Sequence, residues 1–312
     1  MEAWNLIESD PEVFTNLIHK LGVNGVQAKE IHIMDQFLED EKNQVYGLIF
    51  CFKWENRKDT QLEENYTSDQ NIYFPQQIIT NACATQAILS ILFNNKKIEL
   101  GADLTQFKEF SLDFPADLKG EMIGSSDLIR NTHNSFSGSD DFISQWYKEH
   151  LNEVYKDRPK EDAFHFSSFL PINNQLFELD GLKRGPIEHG PINNENWVIQ
   201  AFDIIRKKIE SYGGAELRFN LMAITEDEID ILKKKIQLLE NQLMENPNES
   251  VLQYQLIELK DQLEYSDRLR QKSKVNLDIS SHNFIPFLFN VLGEAAKNNR
   301  LGPILEKSNK KE

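Results

Sequence analysis

Gln77-Ile78-Ile79-Thr80-Asn81-Ala82-Cys83-Ala84-Thr85-Gln86-Ala87-Ile88 places a cysteine at the head of an apolar-periodic segment, with a glutamine six residues upstream. Ala84, Ile88 and Leu92 recur at helical spacing, with Ala87 and Ile91 beside them, so the spacing predicts a helix that starts near Cys83. Asn81 is its expected cap, and the small Ala82 leaves room at the turn. A thiol in the first turn of a helix meets unpaired backbone N–H groups and the positive end of the dipole, and both favour the nucleophilic thiolate. The same residues also read as a small buried cysteine on a core helix, the commoner state of a free cysteine. A partner histidine elsewhere in the chain separates the two readings.

Seven histidines are available. His19 lies on a short surface helix, His32 among mixed residues, and His133, His150, His189 and His282 in polar or terminal contexts, so each reads as a surface side chain. His165 differs. It sits in Phe164-His165-Phe166-Ser167-Ser168-Phe169-Leu170, a strand that meets a second one, Gln175 to Asp180, across Pro171-Ile172-Asn173-Asn174. Asn-Asn is a usable two-residue hairpin turn because Asn tolerates positive φ. With that turn Asp180 faces Ser167 and His165 faces Leu182, which makes His165 and Asp180 diagonal neighbours on one face. Cys83, His165 and Asp180 then supply a nucleophile, a base and a group to orient the base.

Around this set, residues 9–21 predict a short helix, with Ser9 as cap, Pro11 in the first turn, a stripe of Phe14, Leu17, Ile18 and Leu21, and Gly22 closing it. Val45 to Trp54 predicts a strand whose continuous apolar centre, Leu48-Ile49-Phe50-Cys51-Phe52, belongs inside a sheet; Cys51 there is core. Leu104 to Phe114 predicts a short helix, and Ser125 or Ser126 caps another with Leu128 and Ile129 inward. Residues 134–160 form a long polar connection, part of it helical through Ile143, Trp146, Tyr147, Leu151 and Val154. Trp197 to Tyr212 predicts a helix with Ile199, Phe202, Ile205 and Ile209 inward, and Leu217 to Ile224 a last buried strand. Ile229, Leu232, Ile236, Leu239 and Leu243 then follow a 3-4-3-4 heptad seam, broken at Glu245-Asn246-Pro247-Asn248 and resumed by Leu252, Leu256, Leu259 and Leu263. Two antiparallel helices result, serving either a partner or internal packing. Periodicity assigns the whole an α+β class, divided at 1–225, 226–272 and 273–312.

The chain of 312 residues has a net charge of −16. Residues 1–225 carry 35 acidic against 21 basic side chains, and residues 226–312 carry 15 against 13. An acidic front region argues against direct nucleic-acid binding and favours a basic partner or substrate. Two cysteines form neither a disulfide framework nor a zinc set and suit a reducing compartment. The N-terminus lacks a signal-peptide pattern, and no apolar run approaches the ~20 residues that span a bilayer, so a cytoplasmic or nuclear protein with no membrane partner is expected.

Gln77, the Asn81-Ala82-Cys83-Ala84-Thr85-Gln86 block, Phe164-His165-Phe166 and Glu178-Leu179-Asp180-Gly181 together resemble the ubiquitin C-terminal hydrolases, papain-like cysteine peptidases. The helices after Ile224, the segment His282-Asn283-Phe284-Ile285-Pro286-Phe287 and the opening Glu8 to Thr15 resemble proteasome-associated members of that family. Compared with them, the basic C-terminal extension is shorter and the connection before His165 longer. The resemblance implies a central antiparallel sheet between helices with a knotted chain path, and a helical C-terminal extension. It implies Cys83 as nucleophile, His165 as base and then acid, Asp180 as its orienting group, and Gln77 as oxyanion donor together with the Cys83 N–H. Neither cofactor nor metal is needed. Residues 134–160 would be a crossover loop over the active site, and ubiquitin, with its basic extended tail, the substrate. The C-terminal region would dock on an adaptor domain of the proteasome's ubiquitin receptor, or on a related adaptor of a chromatin-remodelling complex. A ubiquitin-binding adaptor with incidental catalysis is the alternative reading.

Overall fold

The structure is a computed structural model and describes residues 4–41, 44–53, 65–67, 69, 71–137, 164–192, 196–212, 218–245, 249–280, 282, 284–298 and 302. Six strands form one antiparallel sheet: β1 Val26–Glu30, β2 Val45–Lys53, β3 Phe164–Ile172, β4 Gln175–Leu179, β5 Ile187–Pro191 and β6 Asn220–Glu226, in spatial order β1-β6-β2-β3-β4-β5. Helices surround it: α1 Pro11–Lys20, α2 Met34–Asp40, α3 Cys83–Asn94, α4 Gly101–Ser111, α5 Ala116–Ser125, α6 Asp127–Asn134 and α7 Trp197–Ser211. The expected α+β class, a sheet flanked by helices, is what the chain forms.

β2 lies inside the sheet, hydrogen-bonded to β3 on one side and β6 on the other. Its side chains alternate between two cores, as a strand's period of two requires. Ile49 and Cys51 pack with Phe14, Leu17, Ile18, Ile88 and Leu92 of α1 and α3. Leu48 and Phe50 pack with Phe202 and Ile205 of α7. This is why the run is apolar throughout: neither face meets water. Each fully buried Leu, Ile or Phe contributes about 1.5–3 kcal/mol of transfer free energy. In α3 every residue from Ala84 to Phe93 is buried, so the helix is enclosed from the residue after Cys83 onward, while Cys83 itself is partly exposed.

The hairpin forms in the register its turn predicts. Asn173 and Asn174 both take positive φ, +49° and +62°, which matches the right-handed twist of the flanking strands. Ile172 then faces Gln175, and the pairing runs to Ser168 opposite Leu179.

Several local expectations need correction. α1 is capped by Asp10 rather than Ser9, its carboxylate accepting from the N–H groups of Glu12 (2.8 Å) and Val13 (3.1 Å). Asn81 does not cap α3; it takes a left-handed φ of +69° and donates its side-chain amide to the Trp4 carbonyl (3.0 Å). Ser126 caps α6 and Ile129 points inward, but Leu128 is exposed, and so is Ile199 on α7. α5 was not foreseen, since its apolar positions are sparse; Pro115 before Ala116, with Asp117 in the first turn, was the available signal. The last strand is Asn220–Glu226, a few residues later than expected. Residues 138–163, which hold most of the long connection with Ile143, Trp146 and His150, lie outside the described residues.

Beyond β6, α8 (Glu228–Glu245) and α9 (Ser250–Ser280) pack against each other along the heptad seam. Ile229, Leu232 and Ile236 are buried, whereas Leu239, Leu243, Leu252, Leu256, Leu259 and Leu263 are half-buried. α9 is also tied to the sheet. Arg270 donates both terminal nitrogens to the buried Asp227 carboxylate (2.9 and 3.1 Å), and one of them to Gln27 on β1 (3.1 Å). Last comes α10, Ile285–Lys297, which exposes Phe287, Leu288, Phe289, Val291 and Leu292. No helix among the described residues is long and apolar enough to cross a membrane.

Candidate active site

Cys83 occupies the first position of α3. No side chain caps that helix, so its first N–H groups have no side-chain acceptor. His165, on β3, points its Nε2 at Asp180 Oδ1 at 2.5 Å. That leaves Nδ1 free of Asp180, with the Cys83 thiol close enough to favour the charged ring. Asp180, just past the end of β4, is held in turn by the Leu182 N–H on the same oxygen (2.9 Å). Burial alone would push the imidazole's pKa down; the hydrogen bonds and negative charge of Asp180 and Cys83 outweigh it and hold it at about 9. His165 is therefore an imidazolium at neutral pH, and the site is built as a cysteine paired with a charged histidine.

Gln77 lies across the cleft on the segment before Asn81. Its backbone N–H donates to the Gly181 carbonyl (2.8 Å), which ties this segment to the turn that carries Asp180. Its side-chain Nε2 donates to the Ile79 carbonyl at 3.4 Å, a long bond easily exchanged for a stronger acceptor. The cleft measures about 800 Å³ and takes in Gln77, Cys83 and His165, with Leu6, Ile78, Phe164 and Leu182 exposed on its walls. All four residues singled out in the sequence thus meet at one place. The second cysteine, Cys51, lines the same cleft but is buried; its thiol is pushed up to about 12 by burial, with the neighbouring Cys83 adding to it. No cluster of three metal-ligating side chains occurs among the described residues.

A match to the family described as "Ubiquitin carboxyl-terminal hydrolase, family 1" spans residues 4–210. The chain belongs to the ubiquitin carboxyl-terminal hydrolase family. It is 39% identical to ubiquitin carboxyl-terminal hydrolase isozyme L5 of Dictyostelium discoideum, over 98% of this chain and 95% of that protein. It is 43% identical to ubiquitin carboxyl-terminal hydrolase 2 of Schizosaccharomyces pombe, over 72% and 73%. Among solved structures, Trichinella spiralis UCH37 bound to ubiquitin vinyl methyl ester superposes with a TM-score of 0.68 at 30% identity, covering 86% of this chain and 98% of that one. The chain is thus a ubiquitinyl hydrolase of the cysteine peptidase class.

Around the hydrolase site stand residues that sequence reasoning passed over. His133 is fully buried rather than superficial. Burial pushes it down to about 4, against a hydrogen bond to the Asn5 carbonyl that raises it, so the ring is neutral. Its Nε2–H donates to Asn5 O (2.8 Å), and its Nδ1 accepts from the hydroxyl of Thr85, two residues after Cys83 (2.7 Å). The ring thereby straps the N-terminal segment onto the helix that carries Cys83. Close backbone approaches complete the frame. A Cβ on Gly120 would lie 1.9 Å from the Gln76 carbonyl, so α5 can support the Gln77 segment only with glycine there. No periodicity reports such contacts; a helical glycine with no cap role is the one hint the sequence offers.

Proposed function

We propose that this chain is a deubiquitinating thiol hydrolase that cleaves peptide and isopeptide bonds at the ubiquitin C-terminus. The observation that carries this is His165, bonded to Asp180, sharing the floor of an apolar cleft with Cys83 and Gln77. Cys83 attacks the scissile carbonyl as thiolate. Gln77 Nε2 and the Cys83 N–H receive the oxyanion, a side-chain donor of this kind contributing about 3 kcal/mol. The His165 imidazolium protonates the leaving amine, and a thioester forms on Cys83. Neutral His165 then takes a proton from water, which attacks the thioester and frees the ubiquitin carboxylate. Asp180 keeps the imidazole oriented throughout. Ubiquitin as substrate is supported by the family and by the ubiquitin adduct of the Trichinella relative. Incubation with ubiquitin vinyl methyl ester is expected to give one covalent adduct, absent in Cys83→Ala; an adduct that survives that substitution would remove Cys83 from the mechanism.

We further propose a catalytic unit within 1–225, a helical arm over 226–272, and a partner-binding segment over 273–312 that works at the proteasome regulatory particle, in cytoplasm and nucleus. The support is α10: a helix carrying Phe287, Leu288, Phe289, Val291 and Leu292 exposed is built to be covered. The partner is a proteasome ubiquitin-receptor subunit, with an adaptor of a chromatin-remodelling complex as a second user of the same face. α8 buries Ile229, Leu232 and Ile236, so the informative deletion removes residues 282–312 and leaves that helix in place. The shortened enzyme should cleave a fluorogenic ubiquitin amide yet no longer co-purify with proteasomes from cytosolic or nuclear fractions. Retained co-purification would place docking elsewhere.

A further inference from the structure

Gln86 lies one turn after Cys83 on α3, on the face that Cys83 shares. It is 6% exposed on a helix whose buried side chains, Thr85 and Ser90 apart, are otherwise apolar. A leucine or methionine would fill this place without having to satisfy a carboxamide, so the amide itself is what the position uses. Its Nε2 donates to the Pro75 carbonyl at 2.6 Å, at the root of the segment that carries Gln77. On its other side the amide touches the turn that carries Asp180. A Cβ added to Gly181 would stand 2.3 Å from Gln86 Nε2, 2.9 Å from Gln77 Cβ and 3.1 Å from Gln77 N. The Gln77 N–H, as described above, is bonded to the Gly181 carbonyl. Nucleophile helix, oxyanion segment and orienting turn therefore meet at a single carboxamide.

We propose that Gln86 is a positioning residue for hydrolysis: through Pro75 it fixes the distance between the Gln77 amide and the Cys83 sulfur. Cys83 and Gln86 belong to one rigid helix, whereas Gln77 belongs to an irregular segment with no strand partner of its own. The Gln86–Pro75 bond is the tie from the helix that lies nearest Gln77 in the chain; a second, between Asn94 and the Tyr73 backbone, lies farther back. The bond leaves Cys83 and His165 alone, so the residue acts on the oxyanion and not on the thiol. Errors of about an ångström in such placements cost on the order of 10²-fold in rate.

This rests on Gln77 as the oxyanion donor, and the test separates the two assignments. The full chain is assayed on a ubiquitin C-terminal fluorogenic amide as Gln86→Leu, Gln77→Ala and the double variant. Gln77→Ala should lose roughly 10²-fold in kcat. Gln86→Leu should lose about 10- to 50-fold in kcat with KM nearly unchanged, and less than about threefold when Gln77 is already alanine, because residues acting through one another are not additive. Alkylation of Cys83 by iodoacetamide passes through no oxyanion and should keep its rate in Gln86→Leu. Gln86→Met is the second variant should leucine impair folding. A Gln77→Ala enzyme with undiminished kcat overturns the oxyanion assignment, and this proposal with it. An impaired Gln77→Ala enzyme in which Gln86→Leu still costs its full factor overturns this proposal alone, as does an alkylation rate that falls in step with kcat.

Discussion

His165→Gln is expected to lower kcat/KM for a ubiquitin amide by about 10⁴-fold, the upper range for removing a general acid–base group. The loss has two parts. In the proposed mechanism the imidazolium stabilises the attacking thiolate and carries the proton that the leaving amine needs. Glutamine keeps a hydrogen-bonding amide opposite Asp180 but cannot ionise. In the native enzyme the same histidine sets the alkaline limb. With its pKa held at about 9, kcat/KM for an amide should decline as pH rises through about 9, while alkylation of Cys83, which needs thiolate but no acid, should not. Stability follows the same group with a definite sign. Its folded pKa lies above the ordinary 6.5, so its contribution is complete below about 6.5 and is lost as pH rises through about 9. An amide rate that stays flat to pH 10 would show that His165 is not the proton donor.

Glu178→Gln should cost about 2–3 kcal/mol of stability. Glu178 is 1% exposed on β4, two residues before Asp180. Lys208 of α7 reaches one of its oxygens, and His189 Nε2 of β5 donates to the other at 3.1 Å. Burial would raise the carboxyl's pKa, but the Lys208 ammonium and then His189 outweigh it and hold it at about 2. Glutamine leaves Lys208 facing a neutral amide, and Lys208 is exposed enough to turn partly to water, which keeps the cost below that of a fully enclosed pair. A melting point lower by about 6–10 °C is the readout. The carboxyl's folded pKa is depressed, so its stabilisation is present above about 4.5 and disappears as pH falls through about 2. Native and variant should therefore converge in acid. Equal melting points at pH 7 would show that Glu178 contributes no net stabilisation.

Features whose cause is local were legible in the chain itself. The continuous apolar run of β2 announced a strand covered on both faces, and it lies between β3 and β6. Asn173-Asn174 dictated a two-residue turn with positive φ at both positions, and from it the register that brings Asp180 to His165. Ala84, Ile88 and Leu92 placed Cys83 at a helix start. Each rests on interactions within a few residues, which leave a period or a turn signature behind. Asp10 against Ser9 as the cap of α1 was equally local and was misjudged because two capping residues stand side by side.

Only the tertiary structure decided what joins these pieces. Glu178 finds Lys208 thirty residues away, and Arg270 finds Asp227 and Gln27 from the far end of the chain. Gln86 meets Pro75 and Gly181 at the point where helix, irregular segment and turn converge. Buried polar groups must be paired, but a single-sequence pattern names no distant partner, since pairing is settled by which side chains the packed sheet and helices happen to bring within reach. Cys83, His165 and Asp180 could be singled out from the sequence; the frame that holds Gln77 in the same cleft exists only once the chain has folded.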